Sequence, residues 1–366
     1  MRTIMLVFGT RPEAIKMCPL VLELQKRENV RTLVCVTGQH REMLSSVLDL
    51  FGVVPDYDLA VMKEGQTLFD ITCSVLTGMR NILLEAAPDL VLVHGDTTTA
   101  FAAALACYYL KIPVGHVEAG LRTGNLYAPY PEEFNRRAVA IFCTYHFAPT
   151  ASAAENLIRE GISKERIYIT GNTAIDALKT TVREEFHHPI LERLGERRML
   201  LMTAHRRENL GEPMRRMFSA IRKLCDSHPE IVLVYPVHPN PKVRDAAHTA
   251  FDGCENVILI PPLDAVDFHN FMARSYFILT DSGGAQEEAP SLGVPVLVLR
   301  DTTERPEGIA AGTAKLVGTN PEIILSACEM LLASPEEYSK MAHAANPYGD
   351  GHAAVRIADI LTGTEA

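Results

Sequence analysis

Six polar clusters interrupt the apolar runs of this chain, and each follows a stretch that reads as a β-strand. They are Gly9-Thr10-Arg11-Pro12-Glu13, with Lys16 a turn later; His94-Gly95-Asp96-Thr97-Thr98-Thr99; Glu118-Ala119-Gly120-Leu121-Arg122-Thr123; His205-Arg206-Arg207-Glu208-Asn209; His238-Pro239; and Asp281-Ser282-Gly283-Gly284. In open α/β sheets ligands bind beyond the carboxyl ends of the strands, so these are the places to look for chemistry. Ser282-Gly283-Gly284 leads into a helix carrying Glu287 and Glu288. Glycines let a backbone approach closely, free N–H groups at a helix start suit a phosphate, and a glutamate one turn on suits two ribose hydroxyls. The helix dipole contributes only about 0.3–1 kcal/mol at an exposed site, so a diphosphate needs cations as well. Arg11, Lys16, His205 and Arg305 are the candidates. A lone Ser-Gly-Gly is equally an ordinary strand-to-helix turn.

The carboxylates suggest a second kind of chemistry. Asp96 and Glu118 end adjacent strands, and Glu132 and Glu133 open a helix after Pro131. One of that last pair reads as a helix-start acid complementing the dipole. His94 with Asp96, and His116 with Glu118, could also be ligands of a metal, since residues i and i+2 of a strand face one way. No HExxH and no Cys/His cluster supports that reading, and no metal is expected. His40, His238 and His269 each read as structural histidines when taken singly.

The elements that must position these groups follow from periodicity. Strand candidates in the first half are 3–8, 31–37, 89–94, 113–118, 144–148 and 166–169, with a weaker one near 57–61. In the second half they are 199–203, 231–236, 256–260, 276–280 and 295–299, with a short one near 314–317. Helical patterns alternate with them, as in Met17, Leu20, Val21 and Leu24 with Pro12 near the helix start. Such alternation implies parallel sheets covered on both faces. The stretch Arg183 to Arg198 reads as the end of an interdomain helix followed by a linker. The expected organisation is α/β, with two doubly wound domains, 1–170 and 171–350. A last helix at about 351–366 is free to pack back on the first.

Composition sets limits. A chain of 366 residues, 47% hydrophobic and 22% charged, has room for two cores. Its net charge of −10 argues against nucleic acid or an anionic membrane as partner. The eight cysteines include no CxxC pair and read as buried thiols of a reducing compartment. The apolar stretch Ile4 to Phe8 is too short for a signal peptide, and no segment approaches the roughly 20 apolar residues of a membrane span. A cytoplasmic protein is expected. The first strand ends without G-x-G-x-x-G, so no nicotinamide fingerprint is present; Gly349-Asp350-Gly351-His352-Ala353-Ala354 matches weakly but follows no strand.

In order along the chain, GTRPEAIK (9–16), TGQH (37–40), HGDTTT (94–99), HVEAGLRT (116–123), PEEFNRR (131–137), TAHRREN (203–209), DSGGAQEEAPSLGVPVLVLRDTTERPE (281–307) and NPYGDG (346–351) resemble the non-hydrolysing UDP-N-acetylglucosamine 2-epimerases. The resemblance spans nearly the whole sequence. It implies two Rossmann-like domains of the GT-B type with the active site in the cleft between them, and a homodimer. The essential acids of the family fall on Asp96, Glu118 and Glu132, and its catalytic histidine on His205. Its UDP contacts fall on Arg11, Lys16, Phe268, Ser282, Gly283, Gly284, Glu288 and Arg305. A regulatory UDP-GlcNAc site, found in some bacterial members, maps onto Gln39, His40, Gln66, Glu132, Arg206 and His238. Two positions depart from the pattern: Leu263 replaces a glutamine that contacts the nucleotide in relatives, and Gly65 replaces an arginine of the regulatory site. The implied reaction is elimination of UDP to 2-acetamidoglucal and re-addition with protonation from the other face, needing neither nicotinamide nor metal. Competing readings are a hydrolysing 2-epimerase that releases N-acetylmannosamine and UDP, a GT-B glycosyltransferase, and an inactive nucleotide-sugar sensor.

Overall fold

The computed structural model describes residues 1–38, 41–63 and 65–363, with the backbone alone at 41–43. The chain divides into two compact units, 1–177 with 349–366, and 178–348. The division falls inside a helix, later than residue 170.

The first unit is built on strands β1 (Arg2–Phe8), β2 (Val30–Val36), β3 (Tyr57–Asp58), β4 (Leu90–His94), β5 (Val114–Val117), β6 (Tyr145–Ala148) and β7 (Ile167–Ile169). They form one parallel sheet in the order β3-β2-β1-β4-β5-β6-β7. Its helices are α1 (Arg11–Gln25), α2 (Arg41–Phe51), α3 (Leu68–Ala86), α4 (Thr98–Tyr109), α5 (Glu132–Phe142), α6 (Ala151–Arg159) and α7 (Thr173–Thr181). Helices on both faces explain why β1 reads as a continuous apolar run: Ile4, Leu6 and Phe8 enter one core while Met5 and Val7 enter another.

The second unit holds α8 (Pro189–Glu192), β8 (Arg198–Thr203), α9 (Glu212–Ser227), β9 (Ile231–Pro236), α10 (Pro241–Phe251), β10 (Val257–Ile260), α11 (Ala265–Ala273) and β11 (Phe277–Thr280). It continues with α12 (Gly283–Glu288), β12 (Val296–Val298), α13 (Pro306–Ala311), β13 (Ala314–Leu316), α14 (Pro321–Ala333) and α15 (Pro335–Ala342). The sheet order is β10-β9-β8-β11-β12-β13, again parallel. Both sheets therefore reverse direction once, between β1 and β4 in the first and between β8 and β11 in the second. That reversal leaves a crevice at the carboxyl ends of the two central strands.

One expectation needs correction. Helix α7 stops at Thr181, so Arg183 to Arg198 is not a helix end and linker. His188 accepts a hydrogen bond from Ile190 N (3.2 Å) and starts α8 within that stretch. Asn270 takes the Arg183 N–H at 2.9 Å, and Phe186, Ile190 and Leu191 pack on the second unit's core. The segment is docked, through contacts with residues far away in sequence. Helix α16 (Ala353–Thr362) returns to the first unit, where Ile357, Ala358 and Leu361 join its core. Arg2 Nη1 donates to Leu361 O at 2.6 Å, and Arg27 pairs with Asp359 at 2.9 Å. Among the described residues no helix is long and apolar enough to cross a membrane.

Candidate active site

In the first unit the clusters meet at the β1/β4 reversal. Gly9 has no room for a side chain, since a Cβ there would lie 2.0 Å from Thr37 Oγ1 and 2.8 Å from Thr99 Oγ1. Thr10 caps α1, and Glu13 answers it as a capping box. Glu13 does more than cap, because one oxygen accepts from Gly9 N (3.0 Å) and Thr10 N (2.8 Å) while the other accepts from the Thr97 hydroxyl at 2.7 Å. A single buried glutamate thus ties the loop after β1 to the loop after β4. Arg11 emerges from this turn half-buried, without a hydrogen bond or ion pair among the described residues.

Glu118 follows β5 with φ +61, a left-handed conformation that costs a non-glycine residue of order 1 kcal/mol or more. Its side chain is 8% exposed and is ion-paired with Lys16 of α1. The same oxygen accepts from Asn172 Nδ2 at 3.2 Å and lies 3.8 Å from His94 Nε2. Burial alone would raise its pKa, but Lys16 first, then His94 and Arg136, outweigh burial and hold the carboxyl well below the usual range. The group is an anion. His94 is driven down to about 4 by burial and is neutral at pH 7. His116 is driven down to about 3, also by burial, and its Nε2 lies 2.7 Å from Gly95 O. His116 therefore supports the Gly95 turn.

Asp96 is ion-paired with Arg136, and its carbonyl accepts from Asn135 Nδ2 at 2.9 Å. The ambiguity at the start of α5 is resolved by geometry. Glu133 is fully buried and accepts from Thr123 N (3.1 Å) and Gly124 N (3.3 Å), so it anchors a loop. Glu132 is half-buried and makes no hydrogen bond or ion pair among the described residues.

The second unit assembles its groups at the β8/β11 reversal. Thr203 and Thr280, paired in register, share a hydrogen bond of 2.6 Å at the strand ends. Asp281 comes next and is 0% exposed. Its Oδ2 accepts from His205 N and Arg206 N, both at 2.8 Å, and from Asn209 Nδ2 at 3.2 Å. Its Oδ1 lies 3.3 Å from His205 Nδ1. That carboxylate lies beside the ring of His205, which is parallel to the ring of His238 with centroids 5.4 Å apart. Burial lowers the His205 pKa, with Asp281 opposing.

Ser282 begins α12, whose first N–H groups take no side-chain cap. A Cβ on Gly283 would stand 3.6 Å from Arg305 Nη2 and 4.0 Å from Arg206 Nη2, so two guanidinium groups lie over the glycine backbone. Arg305 is ion-paired with the buried Glu287, and Arg206 lies 3.7 Å from Glu304. Glu288 is 3.5 Å from His269 Nε2, and Phe268 is half-buried beside His269. The arrangement is a short glycine turn under paired cations, which suits a diphosphate.

The remaining positions are less engaged. Leu263 packs on the second unit's core. Gln66 closes its own turn, donating to Val61 O (2.6 Å) and accepting from Lys63 N (2.9 Å). Gly65 has φ +74, so an arginine there would be strained as well as charged. Gln39 and His40 lie outside the described residues. Asn172 escaped the sequence reading, and Arg136, Asp281 and Glu287 figured there only as members of motifs, without the partners they have here. Nothing in their spacing points to Glu118, Asp96, His205 or Arg305, and only the strand order brings them together.

Two parallel sheets of this order, each with its site at the reversal, define a two-domain α/β protein of the GT-B type. A sequence model described as UDP-N-acetylglucosamine 2-epimerase matches residues 22–362. The chain is 58% identical to the UDP-N-acetylglucosamine 2-epimerase of Bacillus subtilis, over 98% of this chain and 94% of that one. Its fold matches that of a Listeria monocytogenes protein described as a UDP-N-acetylglucosamine 2-epimerase, with a TM-score of 0.95, 55% identity and coverage of 99% and 97%. The Neisseria meningitidis UDP-GlcNAc 2-epimerase bound to UDP-GlcNAc gives a TM-score of 0.88 at 48% identity, covering 99% and 100%. The chain belongs to the UDP-N-acetylglucosamine 2-epimerase family.

Proposed function

We propose that this chain interconverts UDP-N-acetylglucosamine and UDP-N-acetylmannosamine without hydrolysis, by eliminating UDP to 2-acetamidoglucal and adding it back. The observation that carries the reading is Glu118, an anion buried at a strand end beside a lysine. The hydrogen on sugar C2 is not α to a carbonyl, so a base alone removes it poorly. Departure of UDP with the C1–O electron pair makes C1 oxocarbenium-like and acidifies the neighbouring C–H. The cations around the diphosphate stabilise the leaving charge, and a carboxylate takes the proton. Asp96, Glu118, Glu132 and His205 carry these steps. Arg11, Lys16, Phe268, Ser282, Gly283, Gly284, Glu288 and Arg305 hold UDP.

Lys16 then serves two anions in turn. While paired with it, Glu118 is ionised but a poor base; a diphosphate that draws Lys16 away raises its basicity when substrate arrives. Neither nicotinamide nor metal enters this scheme, so activity should survive exhaustive dialysis against EDTA. Proton NMR in D₂O tests the reaction: product should carry deuterium at C2, and full retention of the original hydrogen would overturn elimination. The same spectra separate the alternatives, because free N-acetylmannosamine marks a hydrolysing enzyme, and no product without an acceptor marks a glycosyltransferase.

A regulatory UDP-GlcNAc belongs to the same proposal, through Gln39, His40, Gln66, Glu132, Arg206 and His238. Starting from pure UDP-ManNAc, progress curves should show a lag that traces of UDP-GlcNAc abolish; full rate from time zero would count against it. We place the protein in the cytoplasm, in keeping with eight free cysteines. We also propose a homodimer. Helices α3, α4 and α5 lie side by side and expose Phe69, Leu84, Tyr108, Tyr109, Phe134 and Ile141, apolar surface of the kind that self-association covers. Sedimentation equilibrium at the monomer mass would refute it.

A further inference from the structure

The turn between β7 and α7 and the turn Gly349–Gly351 have no part in the reaction as described, yet within the first unit they meet behind Glu118. Asn172 is 3% exposed, and its side chain has two ends in use. Nδ2 donates to Glu118 Oε2 at 3.2 Å, and Oδ1 accepts from Ala174 N at 3.0 Å. The turn that carries it is braced from the far end of the chain. Gly349, at φ +134, leaves so little space that a Cβ would stand 3.3 Å from Gly171 Cα and 3.4 Å from Asn172 N. Arg356 Nη1 donates to Thr170 O at 3.1 Å while its guanidinium grips Asp350 at 2.8 and 2.6 Å. Asp176 accepts from Ala353 N (3.2 Å) and Ala354 N (2.9 Å).

We infer that Asn172 is a positioning residue for Glu118, and that the turn at Gly349–Gly351 is the wedge that keeps it in place. The groups that face Glu118 come from separate elements: Lys16 from α1, His94 from β4, Asn172 from the β7–α7 turn and, by longer-range charge, Arg136 from α5. Of these, Asn172 is a neutral, fully buried donor fixed by its own second hydrogen bond. It orients the carboxylate whether or not Lys16 has moved to a phosphate. The inference rests on Glu118 handling the C2 proton.

Two substitutions test it by their pH behaviour. Asn172→Ala removes the donor, and kcat should fall roughly 10- to 100-fold at every pH between 6 and 9, with the UDP Kd unchanged. Asn172→Asp keeps the acceptor for Ala174 N but sets a second carboxylate against Glu118, so the two share a proton. Its activity should be lost at pH 6 and climb steeply toward pH 9, a slope neither the wild-type protein nor Asn172→Ala shows. A wild-type pH profile in Asn172→Asp, or equal loss at every pH, overturns the inference. Should the variants not fold, the wild-type Asn172 side-chain ¹⁵N resonance still reports, because it should shift in Glu118→Gln; an unmoved resonance counts against the contact. Gly349→Ala should lower kcat severalfold with UDP affinity intact, and an unchanged kcat removes the wedge. If Glu118→Gln itself retains full turnover, the reading of the reaction has failed rather than that of Asn172.

Discussion

At the end of β5 the first unit holds a glutamate that is buried, ion-paired and set in a left-handed backbone conformation. At the end of β11 the second unit holds a buried aspartate whose partners are backbone N–H groups, an asparagine and a half-exposed histidine. The sheets share a strand order and a reversal point, yet the chemistry gathered there is opposite. The first unit surrounds its anion with cations and donors of its own. The second sets arginines and histidines around an uncapped glycine turn, a setting that suits an anion brought from outside. One architecture therefore supports either sign, and the loops decide which.

The contrast breaks most visibly at Glu118. Glu118→Gln should lower kcat by about 10³-fold or more while the UDP Kd, measured by calorimetry, stays within about threefold. Parallel losses of turnover and affinity would erase the division of labour. The mirror experiment is Arg305→Ala, which should weaken UDP binding roughly 10- to 100-fold, the scale of one charge-assisted contact. It also removes an ion-pair partner of the buried Glu287, so Tm should fall as well. Adding Glu287→Gln should restore much of the Tm but none of the affinity.

Acid should separate the units next. His116, His94 and His146 of the first unit are driven by burial to about 3, 4 and 4, below the unfolded value of about 6.5. A depressed folded pKa means the unfolded chain binds more protons, so the stability these groups confer is complete above pH 6.5 and is lost as pH falls toward 4. Tm should drop on the order of 5–10 °C between pH 6.5 and 5.5, with exchange protection lost first in the first unit. The smallest effect has the reverse sign. His228 of the second unit bridges Glu230 (2.7 Å) and Glu329 (2.9 Å), which raise its pKa. Its contribution is complete below pH 6.5 and disappears as pH rises through the folded value. Glu329→Gln should therefore cost about 0.5 kcal/mol at pH 6 and nothing at pH 9, read from denaturant midpoints.

The strands of both sheets were legible from apolar runs because helices cover both faces and leave no polar alternation to blur them. The clusters at Gly9, Asp96, Glu118, His205 and Ser282 were legible because glycine and charge end those runs abruptly. What holds the clusters was not. Asn172 stands 54 residues from Glu118, and Asp281 stands 76 from His205. Such pairings depend on which strands become neighbours, which spacing along the chain does not encode. The same blindness made Arg183 to Arg198 read as a linker, since its anchors, Asn270 and Arg274, come from α11 and its C-terminal cap. By residue type and spacing alone Glu132 and Glu133 were alike, and burial separates a loop anchor, Glu133, from an acid with no partner among the described residues.

Because the first unit is completed by residues 349–363, its two parts are separated in the chain by the whole of the second unit. Domains generally fold as they emerge, the earlier before the later. Here residues 178–348 lie between the two parts of the first unit, so the second unit is one continuous stretch of chain and the first is not. The second unit can reach its native form first, while the sheet that carries Glu118 waits with one flank of its core open and Asn172 unbraced. Refolding chains should thus form the glycine turn of the second unit before the carboxylates of the first are held in register. Residues 349–363 act as a latch, joining a distant stretch of chain to the turn that sets Asn172 against Glu118.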